Sequence, residues 1–268
     1  MSYLQKLSAW LRPEHSNQAG SRQEQHSCPG DQSQALTPNH VSQGEKSMHK
    51  PSPEISPEGL PLILYTAFAT LILALLQWTL LAVLLLLATF FTLHFFRDPE
   101  RVVPAQEKIA VSPADGKIVA VETRAEPLSG EMRSKVSIFM NVIDVHVNRS
   151  PVEGKVQKIE YIPGKFLNAS LDKSSRDNER NILNIEDQEG GHWTVVQIAG
   201  LLARRIVCRV QEQDQLQRGQ RLGLIKFGSR VDLYLPSGYD CQVSKGDRVL
   251  AGQTILARAK QDAQTKHD

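Results

Sequence analysis

Between Leu60 and Phe96 the chain has no Asp, Glu, Lys or Arg, an uncharged run of 37 residues. Few soluble cores could cover so long a run, so the expectation is attachment to a membrane. Cysteine is scarce: Cys28, Cys208 and Cys241 show no CxxC spacing, so neither a zinc site nor a disulfide framework is indicated. Cys208 and Cys241 lie in alternating apolar stretches and read as buried thiols. The formal net charge is only +2, and no basic stripe carries interleaved aromatics, which argues against nucleic acid as a partner. No secretory signal is evident, because the apolar run starts some sixty residues in and no small-residue cleavage pattern follows it. His15, His26, His40 and His49 have no metal-ligand spacing, and no metal is expected.

The uncharged run is too long for one straight span. As a helix it would reach roughly 55 Å, against a hydrocarbon core of about 30 Å. Two short helices breaking near Gln77-Trp78-Thr79 use the length better; a single span and a hairpin that dips in without crossing stay open. Lys46 and Lys50 before the run balance Arg97 and Arg101 after it, which favours a hairpin at the cell membrane with both ends cytoplasmic. Residues 1–58 are poor in large apolar side chains and read as a disordered arm. Within it, Leu4, Leu7, Trp10 and Leu11 have the spacing of a short interfacial helix over 2–12.

Residues 97–262 read as the folded domain, and the pattern there is β. KIVAVET, KVSIFMNV, GKVQKIEYI, HWTVVQIAG, RRIVCRV, LGLIKFG and RVDLYLP are short, alternating and punctuated by Gly and Pro. Gly164 to Asn181 is polar and long for a structureless loop, as functional loops are. VSPADGKIVAV and VSKGDRVLAGQTILARA share a turn-then-strand pattern similar to the hammerheads of biotinyl/lipoyl-like domains. The expected fold is mainly β, a barrel-sandwich hybrid behind an apolar membrane helix or helical hairpin.

Gly228-Ser229 lies between the strand-like runs LGLIKF and VDLYLP. Such a pair is ordinarily a turn, because Gly tolerates positive φ and Ser bonds its own backbone. It also has the elements of self-cleavage: the Ser229 hydroxyl can attack the preceding carbonyl, and Gly228 adds no side chain in the way. Local chemistry leaves both readings open.

Around that pair the chain resembles the short, single-domain class of phosphatidylserine decarboxylase proenzymes. The resemblance rests on FFRDPERVVP (95–104), SPADGKIV (112–119), FMNVIDVHVNRSP (139–151), NERN (178–181) and IKFGSRVDLYLP (225–236), in the family's order behind an apolar segment. It implies cleavage at Gly228/Ser229 into a β chain 1–228 and an α chain 229–268, which stay together as a heterodimer. It also implies that Ser229 becomes a covalent pyruvoyl group, the only cofactor. Through a Schiff base to that group, phosphatidylserine would become phosphatidylethanolamine and CO₂. A diacyl substrate would also explain the membrane segment.

Under the same resemblance His146 is the candidate general acid/base and Asp115 the carboxylate associated with it. In IDVHVNR, His146 alternates with Asp144 and Asn148, so the three are expected on one strand face. The longer bacterial class has a second histidine three residues on; here Arg149 stands there, and arginine is a poor base. Arg149, Glu179 and Arg180 are candidate substrate-binding residues, Arg180 or Arg176 for the lipid phosphate. One rival reading is a membrane-anchored adaptor with a lipoyl-like domain, which needs none of Gly228, Ser229, Asp115 or His146. Another is a pyruvoyl amino-acid decarboxylase, which has no use for an apolar run of this length.

Overall fold

A computed structural model describes residues 54–164, 178–200, 205–226 and 228–260. The interfacial helix at 2–12, most of the N-terminal arm, Arg176 with most of the polar loop, and Phe227 lie outside the described residues.

The uncharged run forms two helices, α1 (Leu60–Leu75) and α2 (Thr79–Phe95), behind a 3-10 turn at Pro57–Gly59. The chain reverses at Leu76–Trp78, where Gln77 takes a φ of 60°. The two outer ends come back together: Ile55 bridges Arg97, Ser56 N–H donates to the Phe96 carbonyl, and Asp98 N–H donates to that of Glu54. Both helices are apolar all round and bury little beyond Ile63, Ala82, Thr89, Thr92 and Phe95. The Thr66, Thr70, Thr89 and Thr92 hydroxyls turn back onto carbonyls one turn earlier, which satisfies them within the helices. By length and composition Pro57–Leu75 is apolar and long enough to cross a membrane; Thr79–Phe95 is a shorter apolar helix.

The rest is β. In chain order the strands are β1 Ile109–Val111, β2 Gly116–Ala125, β3 Met132–Met140, β4 Val147–Arg149, β5 Gly154–Ile162, β6 Arg180–Asp187 and β7 His192–Ile198. They continue as β8 Ile206–Cys208, β9 Gln215–Leu216, β10 Arg221–Ile225, β11 Ser229–Tyr234, β12 Tyr239–Cys241, β13 Arg248–Val249 and β14 Ile255–Ala259. The largest sheet has the order β13-β2-β3-β11-β7-β6-β5-β9, and two small sheets have the orders β1-β14-β12 and β4-β10-β8. The expected mainly β chain behind an apolar helical segment is therefore present. The two turn-then-strand segments also meet each other, through β13 on β2 and β1 on β14.

Alternation explains which face of the large sheet is core. On β3, Val136, Ile138 and Met140 point inward, as do Val231 and Leu233 on β11 and Val195 on β7. The other face of β11 is also buried, but polar: Arg230 bonds Asp232 and Ser137. Three local readings shift. Asp144 and His146 precede β4 in a turn closed by the Asp144 carboxylate on Asn141 N–H, because only Val147–Arg149 finds a partner strand. Cys208 and Cys241 are half-buried, packed at the rim of the core. Strand β6, whose Asn, Asp and Glu blur its alternation, begins inside the polar loop, at Arg180.

Candidate active site

Ser229 opens β11, and its position follows from two register constraints. On one side it pairs with Met140 of β3; on the other, the β7 register ends at Arg230↔Ile198, one residue further on. Ser229 thus shares the inward face with Val231 and Leu233 and is fully buried. The residues just before it belong to a different sheet. β10 pairs with β4 and β8, so the chain crosses between sheets over Lys226–Gly228. Gly228 makes the crossing with a φ of 53°, a left-handed conformation that glycine adopts at no steric cost.

The β4–β10 pairing carries His146 to the same crossing. The His146 carbonyl accepts from Ile225 N–H at 3.3 Å, four residues ahead of Ser229. Its ring stacks at 4.4 Å on Phe95, the last residue of α2, and only 2% of the residue is exposed. Nδ1 lies 2.9 Å from the Asp144 carbonyl oxygen, an acceptor only, so Nδ1 carries the proton and Nε2 presents a lone pair. Burial holds the imidazole pKa down to about 4, partly offset by the Asp144 carbonyl and carboxylate. The ring is therefore neutral near pH 7 and able to accept a proton.

Among the described residues, four buried side-chain polar atoms have no hydrogen-bond partner: Glu126 Oε1, Arg218 Nε, His146 Nε2 and Ser229 Oγ. An unpaired buried polar atom costs about 1–3 kcal/mol and calls for an explanation. Two of the four are the hydroxyl and the imidazole nitrogen singled out in the sequence.

The other candidates are bound elsewhere. Asp115 is buried, accepts from Ala251 N–H at 2.7 Å and pairs with Arg101 at 2.8 Å; no hydrogen bond joins it to His146. Burial raises its pKa against the pull of those two partners. Arg149 does hold a carboxylate, that of Asp98, at 2.9 Å, and also donates to the Gly219 and Pro99 carbonyls. Arg221 takes the second oxygen of Asp98, so the two arginines clamp the segment that leaves α2. Glu179 and Arg180 lie at the Ser229 end of the large sheet, where Glu179 C=O accepts from Ala199 N–H and Arg180 pairs with Ile198. The register sets Arg180 on the face away from Ser229.

Comparison with known proteins decides the family. A family profile for phosphatidylserine decarboxylases matches residues 87–257. The chain belongs to that family. It is 59% identical over 211 residues to the phosphatidylserine decarboxylase proenzyme of Nitratidesulfovibrio vulgaris, covering 79% of this chain and 97% of that one. To the proenzyme of the same name from Solidesulfovibrio magneticus it is 56% identical, over 79% of this chain and 99% of the other. A Burkholderia ambifaria proenzyme is 50% identical over 80% of this chain and its own full length.

Within the family motifs, sequence reasoning passed over several residues that now stand at the site. Phe95 and Asp98 sit inside FFRDPERVVP, where their contacts with His146 and Arg149 have no sequence signal. Asn181 closes NERN and Asn148 follows His146, yet the link between them runs through Gln197, which lies in no quoted motif.

Proposed function

We propose that this chain is a phosphatidylserine decarboxylase that makes its own pyruvoyl group by cleaving itself between Gly228 and Ser229. The observation that carries the reading is the pair of buried atoms without partners, Ser229 Oγ at the start of β11 and His146 Nε2 just before β4, whose partner β10 leads into the Gly228 crossing. In the precursor, His146 Nε2 takes the Ser229 hydroxyl proton as Oγ attacks the Gly228 carbonyl carbon. The amide C–N bond gives way to an ester C–O bond, and the nitrogen of residue 229 leaves as an amine. Loss of the Ser229 Cα proton then breaks the Cβ–O bond, releasing Gly228 as a carboxylate and leaving dehydroalanine. One water hydrolyses its tautomer, ammonia departs and a pyruvoyl group remains.

The residues fit such a group. Residue 229 is buried among Met140 and Val231, and no described residue already claims its oxygen. Once formed, the pyruvoyl group supplies a ketone for the substrate amine and an electron sink when CO₂ leaves. His146, neutral and dry, handles protons at Nε2. We assign Glu179 to the substrate headgroup and Asp115 to holding Ala251 and Arg101 beside the SPADG turn; Arg180, on the opposite face of the sheet, has no place at the headgroup. Arg149, whose described bonds go to the chain itself, fixes Asp98 rather than substrate.

The same reading sets the enzyme at the cytoplasmic face of the cell membrane, with α1 and α2 as a hairpin in the bilayer. His146 stacked on the last residue of α2 supports this, since it brings the site to headgroup depth. We read the paired turn-then-strand segments as the two hammerheads of a barrel-sandwich hybrid. After cleavage the α chain keeps β11 to β14, and β11 is gripped by β3 and β7, which supports a lasting heterodimer. The test is Ser229→Ala: the variant should stay a single chain with no decarboxylase activity, and processing in it would overturn the reading.

A further inference from the structure

We propose that Asn148 is the hydrogen-bond donor that holds the oxygen of residue 229, and that Gln197 and Asn181 aim it. The inference rests on the self-cleavage reading and adds a residue to it. Asn148, Gln197 and Asn181 are all buried, on strands β4, β7 and β6. Asn181 Nδ2 donates to Gln197 Oε1 at 3.0 Å, and Gln197 Nε2 donates to Asn148 Oδ1 at 2.8 Å. The oxygens of Gln197 and Asn148 are each taken by the amide behind, so the N–H groups are passed forward. A chain of this kind is polarised in one direction and fixes the orientation of its last member.

That last member points at the site. Among the described residues, Asn148 Nδ2 meets only the thioether sulfur of Met140, at 3.6 Å. Sulfur is a weak acceptor, so a buried amide with two N–H groups is left under-used there. Met140 is the cross-strand neighbour of Ser229 on the same inward face, and such neighbours have Cβ atoms about 5 Å apart. Three buried amides in a row are an expensive way to reach a sulfur atom, but a direct way to reach an oxygen on residue 229. In the precursor that oxygen is Oγ: accepting from Asn148 leaves its own proton for His146 Nε2. After processing Oγ has left with Gly228, and the oxygen at residue 229 is the ketone oxygen that water places on Cα, which can only accept.

The test uses the full-length precursor made in a cell-free system with lipid vesicles, following cleavage by denaturing gel and intact mass. Asn148→Ala should slow cleavage about 100-fold, as loss of one donor to a reacting oxygen does. Asn148→Asp, the same shape with an acceptor in place of the donor, should be slowed at least as much. Gln197→Leu should be slowed less, because it frees the amide to turn without removing it. Cleavage of both Asn148 variants at the wild-type rate would overturn the proposal while leaving self-cleavage intact; a wild-type precursor that never cleaves would overturn the underlying reading instead. Should the variants not fold, the wild-type protein answers. With ¹³C-serine incorporated, the infrared band of the carbonyl at residue 229 should lie below that of a free pyruvamide. A band at the free position would overturn the proposal.

Discussion

His146 combines two properties rarely found together at a surface: a fixed tautomer and a dry, unpaired Nε2. With its pKa near 4 in the fold and about 6.5 unfolded, the unfolded chain binds the extra proton between those values. Stability therefore rises with pH across that window, and falls as pH drops from about 6.5 to about 4. The loss at this one residue is about 3 kcal/mol, measurable as a falling urea midpoint that His146→Ala should flatten. Processing should follow the same group differently, staying level from pH 8 to about pH 5 and declining only as Nε2 is protonated. His146→Ala should slow cleavage by about 100-fold or more; unaltered cleavage and decarboxylation would remove His146 from the account. At this scale the residue types were legible and their partners were not. Asp115 could be picked from SPADG, but its attachment to Arg101 and Ala251 depends on chain segments 14 and 136 residues away.

Among elements, the strands were the easiest to read, since β2, β3, β5, β7, β10 and β11 are short runs rich in Val, Ile or Leu. What alternation cannot give is which strand pairs with which, and the crossing at Gly228 is such a pairing fact. The clamp of Arg149 and Arg221 on Asp98 is another. Arg149→Ala leaves Asp98 buried with half its partners and should cost about 3 kcal/mol in chemical denaturation. The KM of the folded fraction should be unchanged; a raised KM at wild-type stability would return Arg149 to the substrate. The turn at Asn141–Asp144 is tied to the end of α2 by Arg97 Nη2 on the Ile143 carbonyl, and leaves the Ile143 side chain 57% exposed. That position suits a residue resting in the lipid interface. Ile143→Asp should lower decarboxylation of phosphatidylserine in vesicles several-fold while sparing a short-chain soluble analogue; equal loss on both would argue against the contact.

For the whole molecule, the helical hairpin and the β domain make sense as one device. The hairpin returns residues 55 and 97 to each other, so the β domain that follows starts beside the foot of the helices. Cysteines placed at Glu54 and Glu100 should accordingly label from the same side of sealed vesicles. The two apolar helices were plain in the sequence because an absence of charge is a local property. The site was only half plain, because it is made where two sheets meet. The central claim, that this chain cuts itself at Gly228/Ser229, is tested most directly by intact mass on purified, active enzyme. Two chains are expected, of residues 1–228 and 229–268, the smaller with a ketone in place of its N-terminal amine. A single unbroken chain of 268 residues that decarboxylates phosphatidylserine would contradict it.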